Sequence, residues 1–103
     1  MVQRMTLPTR FVLQVLLEDP DAESYGLDVA RRAGLATGTV HPILARLESA
    51  GWLVSRWEEV DPTEVGRPAR RLYQLTQPGT LRAQAAVAKA SPLHVLRSEA
   101  SPS

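Results

Sequence analysis

Apolar and polar residues alternate with a clear helical period in TGTVHPILARLESAG, residues 37–51. Val40, Ile43, Leu44 and Leu47 fall at the i, i+3, i+4 and i+7 positions of a core-facing stripe. The opposite side carries Gly38, His41, Pro42, Ala45 and Ser49, with Thr39 and Arg46 on its flanks, and no acid comes before Glu48. An exposed helix face with short side chains and no carboxylate can approach a polyanion closely. The pattern predicts the recognition helix of a winged helix-turn-helix protein, and the elements around it fit that frame.

Residues 6–18 predict a first helix, with Thr6 as cap and Pro8 in the first turn. Phe11, Leu13, Val15, Leu16 and Leu17 make it apolar on nearly all sides, as a helix buried between partners would be. Glu18-Asp19-Pro20-Asp21 ends it. Residues 24–33 predict a second helix, with Ser24 as N-cap, Leu27 and Ala30 inward together with Val29, and Gly34 as the stop. Gly34-Leu35-Ala36 is then a tight, glycine-containing turn of the helix-turn-helix type. The third helix begins at Thr37 or at Thr39. Pro42 favours Thr39 as cap, because a start at Thr37 removes one helical hydrogen bond.

Residues 52–59 and 70–76 predict two strands, the second alternating Tyr73 and Leu75 with Gln74 and Thr76. VDPTEVGRPA between them reads as a polar loop. A hairpin directly after a recognition helix is a wing, and GRPARR at its tip and second arm carries Arg67, Arg70 and Arg71 without an acid. Residues 77–97 predict a last helix, with Pro78 in its first turn, a narrow apolar stripe of Leu81, Ala85 and Ala88, and a break at Ser91-Pro92 before Leu93, Val95 and Leu96. SEASPS reads as a frayed tail. The fold class is therefore mostly α with a small β-hairpin.

Composition narrows the function. At 103 residues and 44% hydrophobic, the chain makes one small domain with one core, and a second copy would help its stability. Net charge is only +1, and residues 23–76 hold seven basic and seven acidic side chains, so a DNA-binding role must rest on where charge sits. The absence of cysteine excludes disulfides, thiolate chemistry and cysteine-bound metal. His41 and His94 have neither a sequence-local carboxylate nor metal-ligand spacing, and no glycine-rich phosphate loop is present, so no catalytic residue, metal or cofactor is expected. No apolar run reaches the roughly 20 residues that span a bilayer. Gln14 and the acids after it argue against FVLQVLL as a signal segment, and the expectation is a cytoplasmic protein.

From about Leu13 to Gly79 the chain resembles PadR-type transcriptional regulators. The resemblance is carried by Tyr25-Gly26, Gly38-Thr39-Val40-His41-Pro42-Ile43-Leu44, Arg46-Leu47-Glu48, Gly51-Trp52-Leu53, Gly66-Arg67-Pro68, Arg71-Leu72-Tyr73-Gln74-Leu75-Thr76 and Gly79. It implies a winged helix in residues 1–76, a homodimer and operator binding, most often as a repressor. The short C-terminal region is like that of the family's smaller branch, which implies a dimerisation helix and frayed tail in residues 77–103. Dimer contacts would then come from Leu81, Ala85, Ala88, Leu93 and Leu96. His41 stands where the family usually has tyrosine.

In this reading the partners are a double-stranded DNA operator and a second copy. Thr39 and His41 would meet base edges or nearby phosphates, and Thr37 a phosphate, with Pro42 and Arg46 alongside. Each has a structural alternative: capping for the threonines, solvation for His41, a salt bridge for Arg46. Arg67, Arg70 and Arg71 would follow the DNA backbone or a minor groove. Their alternative is a solvated loop paired with Glu58, Glu59, Asp61 and Glu64. Tyr25 either touches a phosphate or packs. Trp52 and Trp57 either cover the core under the wing or line a site for a small-molecule effector, for which the short C-terminal region leaves little enclosing protein. The rival function is a winged helix used only for protein contact, as an antirepressor or adaptor.

Overall fold

The computed structural model describes residues 5–89. Pro92, Leu93, His94, Leu96 and the SEASPS tail lie outside the described residues. Helix α1 spans Leu7–Leu17, capped by Thr6, whose hydroxyl accepts the Thr9 N–H at 3.3 Å. It buries Val12, Leu13, Val15 and Leu16. Arg32 closes its C-terminal end by donating to the Val15 carbonyl at 3.3 Å while pairing with Glu18 at 2.5 Å and Asp28 at 3.3 Å.

Ser24 does not cap the second helix. Ser24–Tyr25 form a short strand, β1, and helix α2 spans Gly26–Ala33 with Tyr25 as its extended N-cap. The Ser24 backbone is taken up by sheet pairing, so the cap and the helical geometry start one residue later than local capping propensity suggests. That start places Gly26, Val29, Ala30 and Ala33 at i, i+3, i+4 and i+7, inward, and turns Leu27 outward at 42% exposure. Gly34 ends α2 in the left-handed conformation, φ +70°, and lets the Leu35 N–H reach the Ala30 carbonyl at 2.9 Å.

Helix α3 spans Thr37–Ser49 and is capped by Ala36, by neither threonine. The Ala36 carbonyl accepts both the Thr39 and the Val40 N–H, at 3.0 and 3.2 Å. Pro42 therefore sits inside the helix and has no N–H to offer the Gly38 carbonyl, the one lost bond expected of a start at Thr37. The residues are exposed there, where solvent can satisfy that carbonyl. Val40, Ile43, Leu44 and Leu47 are all buried, as their spacing predicts. Each such leucine removed from water contributes about 1.5–3 kcal/mol.

Strands β2 (Leu53–Trp57) and β3 (Arg71–Leu75) form the wing hairpin, and β1 adds to its far side in the order β1-β3-β2. All pairs are antiparallel, with Ser24 opposite Tyr73, Leu53 opposite Leu75 and Trp57 opposite Arg71. Trp52 precedes the strand, joins the core, and donates its backbone N–H to Leu47 at 2.9 Å. Trp57 is 60% exposed and does not cover the core, because the hairpin has run past it by that point. The wing loop contains a helical turn, α4 (Pro62–Val65), where a plain loop was expected. Asp61 caps it by accepting the Thr63 N–H at 2.9 Å, with Pro62 supplying a fixed φ.

Helix α5 spans Gln77–Lys89. Thr76 accepts the Gly79 N–H at 2.9 Å and donates its own hydroxyl to the Gly51 carbonyl at 2.9 Å. Gly79 and Ala83 are buried and Ala86 and Val87 pack on the core, so the inward face differs from the Leu81, Ala85 and Ala88 stripe, which is exposed. The small residues let α5 lie close against the body of the domain.

Candidate nucleic-acid interface

The exposed face of α3 has the composition that the sequence pattern predicts. Thr37, Gly38, Thr39, His41, Pro42, Ala45, Arg46 and Ser49 all lie at the surface. No side chain caps the helix, so its first N–H groups point outward from a positive dipole end. Glu48, the first acid, is drawn off this face toward the sheet, where Ser55 donates to it and Arg71 approaches at 3.8 Å.

Helix α2 likewise starts without a side-chain cap. The two uncapped starts meet through His41 and Gly26. The His41 Nδ1–H donates to the Thr37 carbonyl at 3.1 Å, which turns Nε2 toward Gly26. The ring lies over Gly26, so closely that a Cβ on Gly26 would sit 2.7 Å from Nε2. His41 is thus oriented by helix packing while remaining exposed. Arg46 forms no ion pair among the described residues. Its Nη2 donates to Thr9 Oγ1 at 3.4 Å, tying α3 to the first turn of α1.

The three wing arginines have three different environments. Arg67 grips Glu58, one of the four acids of the paired-loop alternative, with both Nη atoms, at 2.7 and 3.2 Å. Arg70 places its guanidinium 4.0 Å from the centroid of the Tyr25 ring and has no carboxylate within ion-pair distance among the described residues. Arg71 donates from Nε to Ser55 Oγ at 3.0 Å and lies 5.2 Å from the Trp57 ring centroid. Tyr25 therefore packs against a cation at the start of α2. Arg67 holds the Glu58 carboxyl below the usual carboxylate range, helped by the Arg70 N–H. Arg56 does the same to Glu23 through bonds of 2.6 and 2.7 Å.

Sequence reasoning missed the Arg56–Glu23 pair, which spans 33 residues, and the seating of Arg70 on Tyr25. Both depend on β1 joining β3. The Glu58 contact had a usable signal, since the hairpin register sets Glu58 opposite Arg70. Trp52 and Trp57 do not combine into one enclosure: the first is buried and the second exposed. The described residues do form an open groove of about 600 Å³ elsewhere, between Pro20-Asp21, Gln74 and the start of α5. Leu81 lines it at 65% exposure. No group of three or more metal-ligating side chains occurs among the described residues, and no helix there is long and apolar enough to cross a membrane.

Solved structures share this fold. smu.1704 of Streptococcus mutans matches with 26% identity and a TM-score of 0.64, over 88% of this chain and 84% of that one. A PadR family transcription regulator of Clostridium difficile matches with 18% identity and a TM-score of 0.68, over 91% and 97%. Overoxidised AbfR bound to DNA matches with 23% identity and a TM-score of 0.62, over 85% of this chain and 61% of AbfR. Among curated proteins none matches the sequence significantly. The family model of PadR-like transcriptional regulators matches residues 12–85, which includes all of α2, α3 and the wing. With the helix-turn-helix, the wing and this match in agreement, the chain belongs to the PadR-like family of transcriptional regulators.

Proposed function

We propose that the protein is a sequence-specific DNA-binding regulator that acts as a homodimeric repressor. Helix α3 enters a major groove, with Thr39 and His41 at base edges, Thr37 at a phosphate near the helix start, and Pro42 and Arg46 beside them. Tyr25, Arg70 and Arg71 follow the backbone or minor groove, at a wing whose tip carries Arg67. The observation that carries this reading is the pair of uncapped helix starts at α2 and α3, joined through His41 and Gly26 beside a carboxylate-free helix face. Helices α1, α4 and α5 instead start with side-chain caps, from Thr6, Asp61 and Thr76. Similarity to a fold that occurs bound to DNA in AbfR supports the same reading.

The exposed Leu81, Ala85 and Ala88 stripe is the proposed dimer surface, with Leu93 and Leu96, which lie outside the described residues, as further contacts, and residues 77–103 the dimerisation segment. Two copies related by a two-fold axis would address half-sites about 34–36 Å apart. The 600 Å³ groove beside Leu81 is the place where a small-molecule effector would meet that dimer surface. The balanced charge of residues 23–76 and the capture of Arg67 by Glu58 favour a second reading, a winged helix that binds another protein.

The test is fluorescence anisotropy with duplex DNA from the gene's own upstream region against a scrambled duplex, at two salt concentrations, with wild type and a Thr39→Ala/His41→Ala variant. Preferential binding that the variant loses is expected. Equal binding to both duplexes by wild type would move the assignment to protein contact.

A further inference from the structure

The three wing arginines are not equivalent. Arg67 is 31% exposed and Glu58 only 19%, which makes theirs the most enclosed ion pair among the described residues. Arg67 Nη1 also donates to the Pro68 carbonyl at 3.1 Å. Glu58 accepts the Arg70 N–H at 3.2 Å, and the Glu58 N–H in turn donates to the Arg70 carbonyl at 2.7 Å. One carboxylate thus joins the end of β2, the tip of the loop and the entry to β3. A guanidinium committed to a fork of this kind is a poor candidate for a phosphate, which would have to displace Glu58 and open the loop.

Arg70 differs. Its backbone is locked by both hydrogen bonds to Glu58, while its side chain leaves that cluster and lies across Tyr25, the N-cap of α2. An aromatic face holds a guanidinium in one orientation without neutralising it. The charge therefore stays available next to an uncapped helix start.

We infer that Arg67 is a positioning residue and not a phosphate contact: through Glu58 it closes the wing and sets Arg70, carried on the Tyr25 ring, as the wing's phosphate-binding cation. The division of roles rests on the DNA-binding reading above, and the strut itself does not.

Salt dependence separates the roles, because a lost phosphate contact flattens the slope of log K against log salt by about 0.9 per contact on duplex DNA. Full-length wild type, Arg67→Ala, Arg67→Lys and Arg70→Ala are titrated with the upstream duplex over a salt series. Arg70→Ala is expected to bind more weakly with a slope flatter by about 0.9. Arg67→Ala and Arg67→Lys are expected to weaken binding alike and to leave the slope unchanged, because lysine keeps the charge but cannot form the fork. A flatter slope for Arg67→Ala with full rescue by Arg67→Lys would overturn the inference. In parallel, carbon-13 NMR follows the Glu58 carboxyl without DNA. Its titration is expected below the ordinary carboxylate range in wild type and back toward that range in both Arg67 variants. An ordinary titration in wild type overturns the strut. If wild type binds no DNA, the preceding function fails, and the NMR titration still decides the strut.

Discussion

Replacing Gly79 with alanine tests how α5 is held on the domain. Gly79 is the third residue of α5 and is buried against the Trp52 backbone. A Cβ built there would lie 2.0 Å from the Trp52 carbonyl oxygen and 2.7 Å from the Trp52 carbonyl carbon and Cα. No rotamer relieves this, since every contacted atom is backbone. The helix must retreat by about an ångström or the 51–52 segment must move, and both routes break the same bonds. At risk are Thr76 N–H to Trp52 O at 2.9 Å and Thr76 Oγ1–H to Gly51 O at 2.9 Å. Two such bonds are worth about 1–3 kcal/mol, and overpacking adds about 1–3 kcal/mol. Alanine's helix propensity returns about 1 kcal/mol. The net expectation is a loss of about 1–5 kcal/mol. In a domain of this size each kcal/mol lowers Tm by about 4–8 °C. Urea unfolding followed by tryptophan fluorescence and far-UV circular dichroism measures it. Gly38→Ala is the matched control, because nothing lies within 4 Å of its Cβ position in α3. It should raise stability by about 0.5–1 kcal/mol. A Gly79→Ala variant as stable as wild type would refute the close approach of α5 to Trp52.

Gly26→Ala should leave the fold intact and dislodge the His41 ring, whose Nε2 is the nearest contact at 2.7 Å; a shifted His41 ring signal in NMR with little change in Tm checks it, and an unmoved ring contradicts the packing. Acid should destabilise the wing. Glu58 and Glu23 titrate below the ordinary carboxyl value of 4.5 in the fold, so the unfolded chain binds more protons there, and the stability they contribute is present above pH 4.5 and lost as pH falls below it. A Glu23→Gln/Glu58→Gln variant should show a flatter stability profile below pH 4.5, measured by urea unfolding at fixed pH steps. Leu81→Glu changes a side chain that is 65% exposed in the single chain; if the proposed dimer forms through this face, the variant should sediment as a folded monomer where wild type sediments as a dimer. This variant is preferable to truncation before Leu81, which would also delete Ala83 from the core.

Much of the architecture is written in local pattern. The Val40, Ile43, Leu44 and Leu47 stripe, the Thr6 cap, the Gly34 stop and the two hairpin strands each follow from spacing or from one residue's backbone preference. These signals are local because the physics behind them is local: helix period, a cap's hydrogen bond, a φ that glycine tolerates. The exposed face of α3 was legible for the same reason, as the complement of its buried stripe.

Other features were settled only when distant segments met. Ser24 has the chemistry of a cap, but its backbone pairs with Tyr73, 49 residues on, and that pairing moves the helix start and turns Leu27 out. Thr37 and Thr39 both have capping hydroxyls, yet the chain enters α3 from the turn with Ala36 in the extended cap position. Nothing local distinguishes Trp52 from Trp57; one meets α3 and α5, and the other extends past them into solvent. The different fates of Arg67 and Arg70 depend on hairpin register and on β1 bringing Tyr25 alongside. Sequence determined that α1, α2, α3, α5 and the two hairpin strands form and which face of α3 is free, because those depend on neighbours along the chain. Tertiary structure decided where α2 begins, which tryptophan is buried and which arginine keeps its charge available, because each depends on contacts whose partners lie far away in sequence.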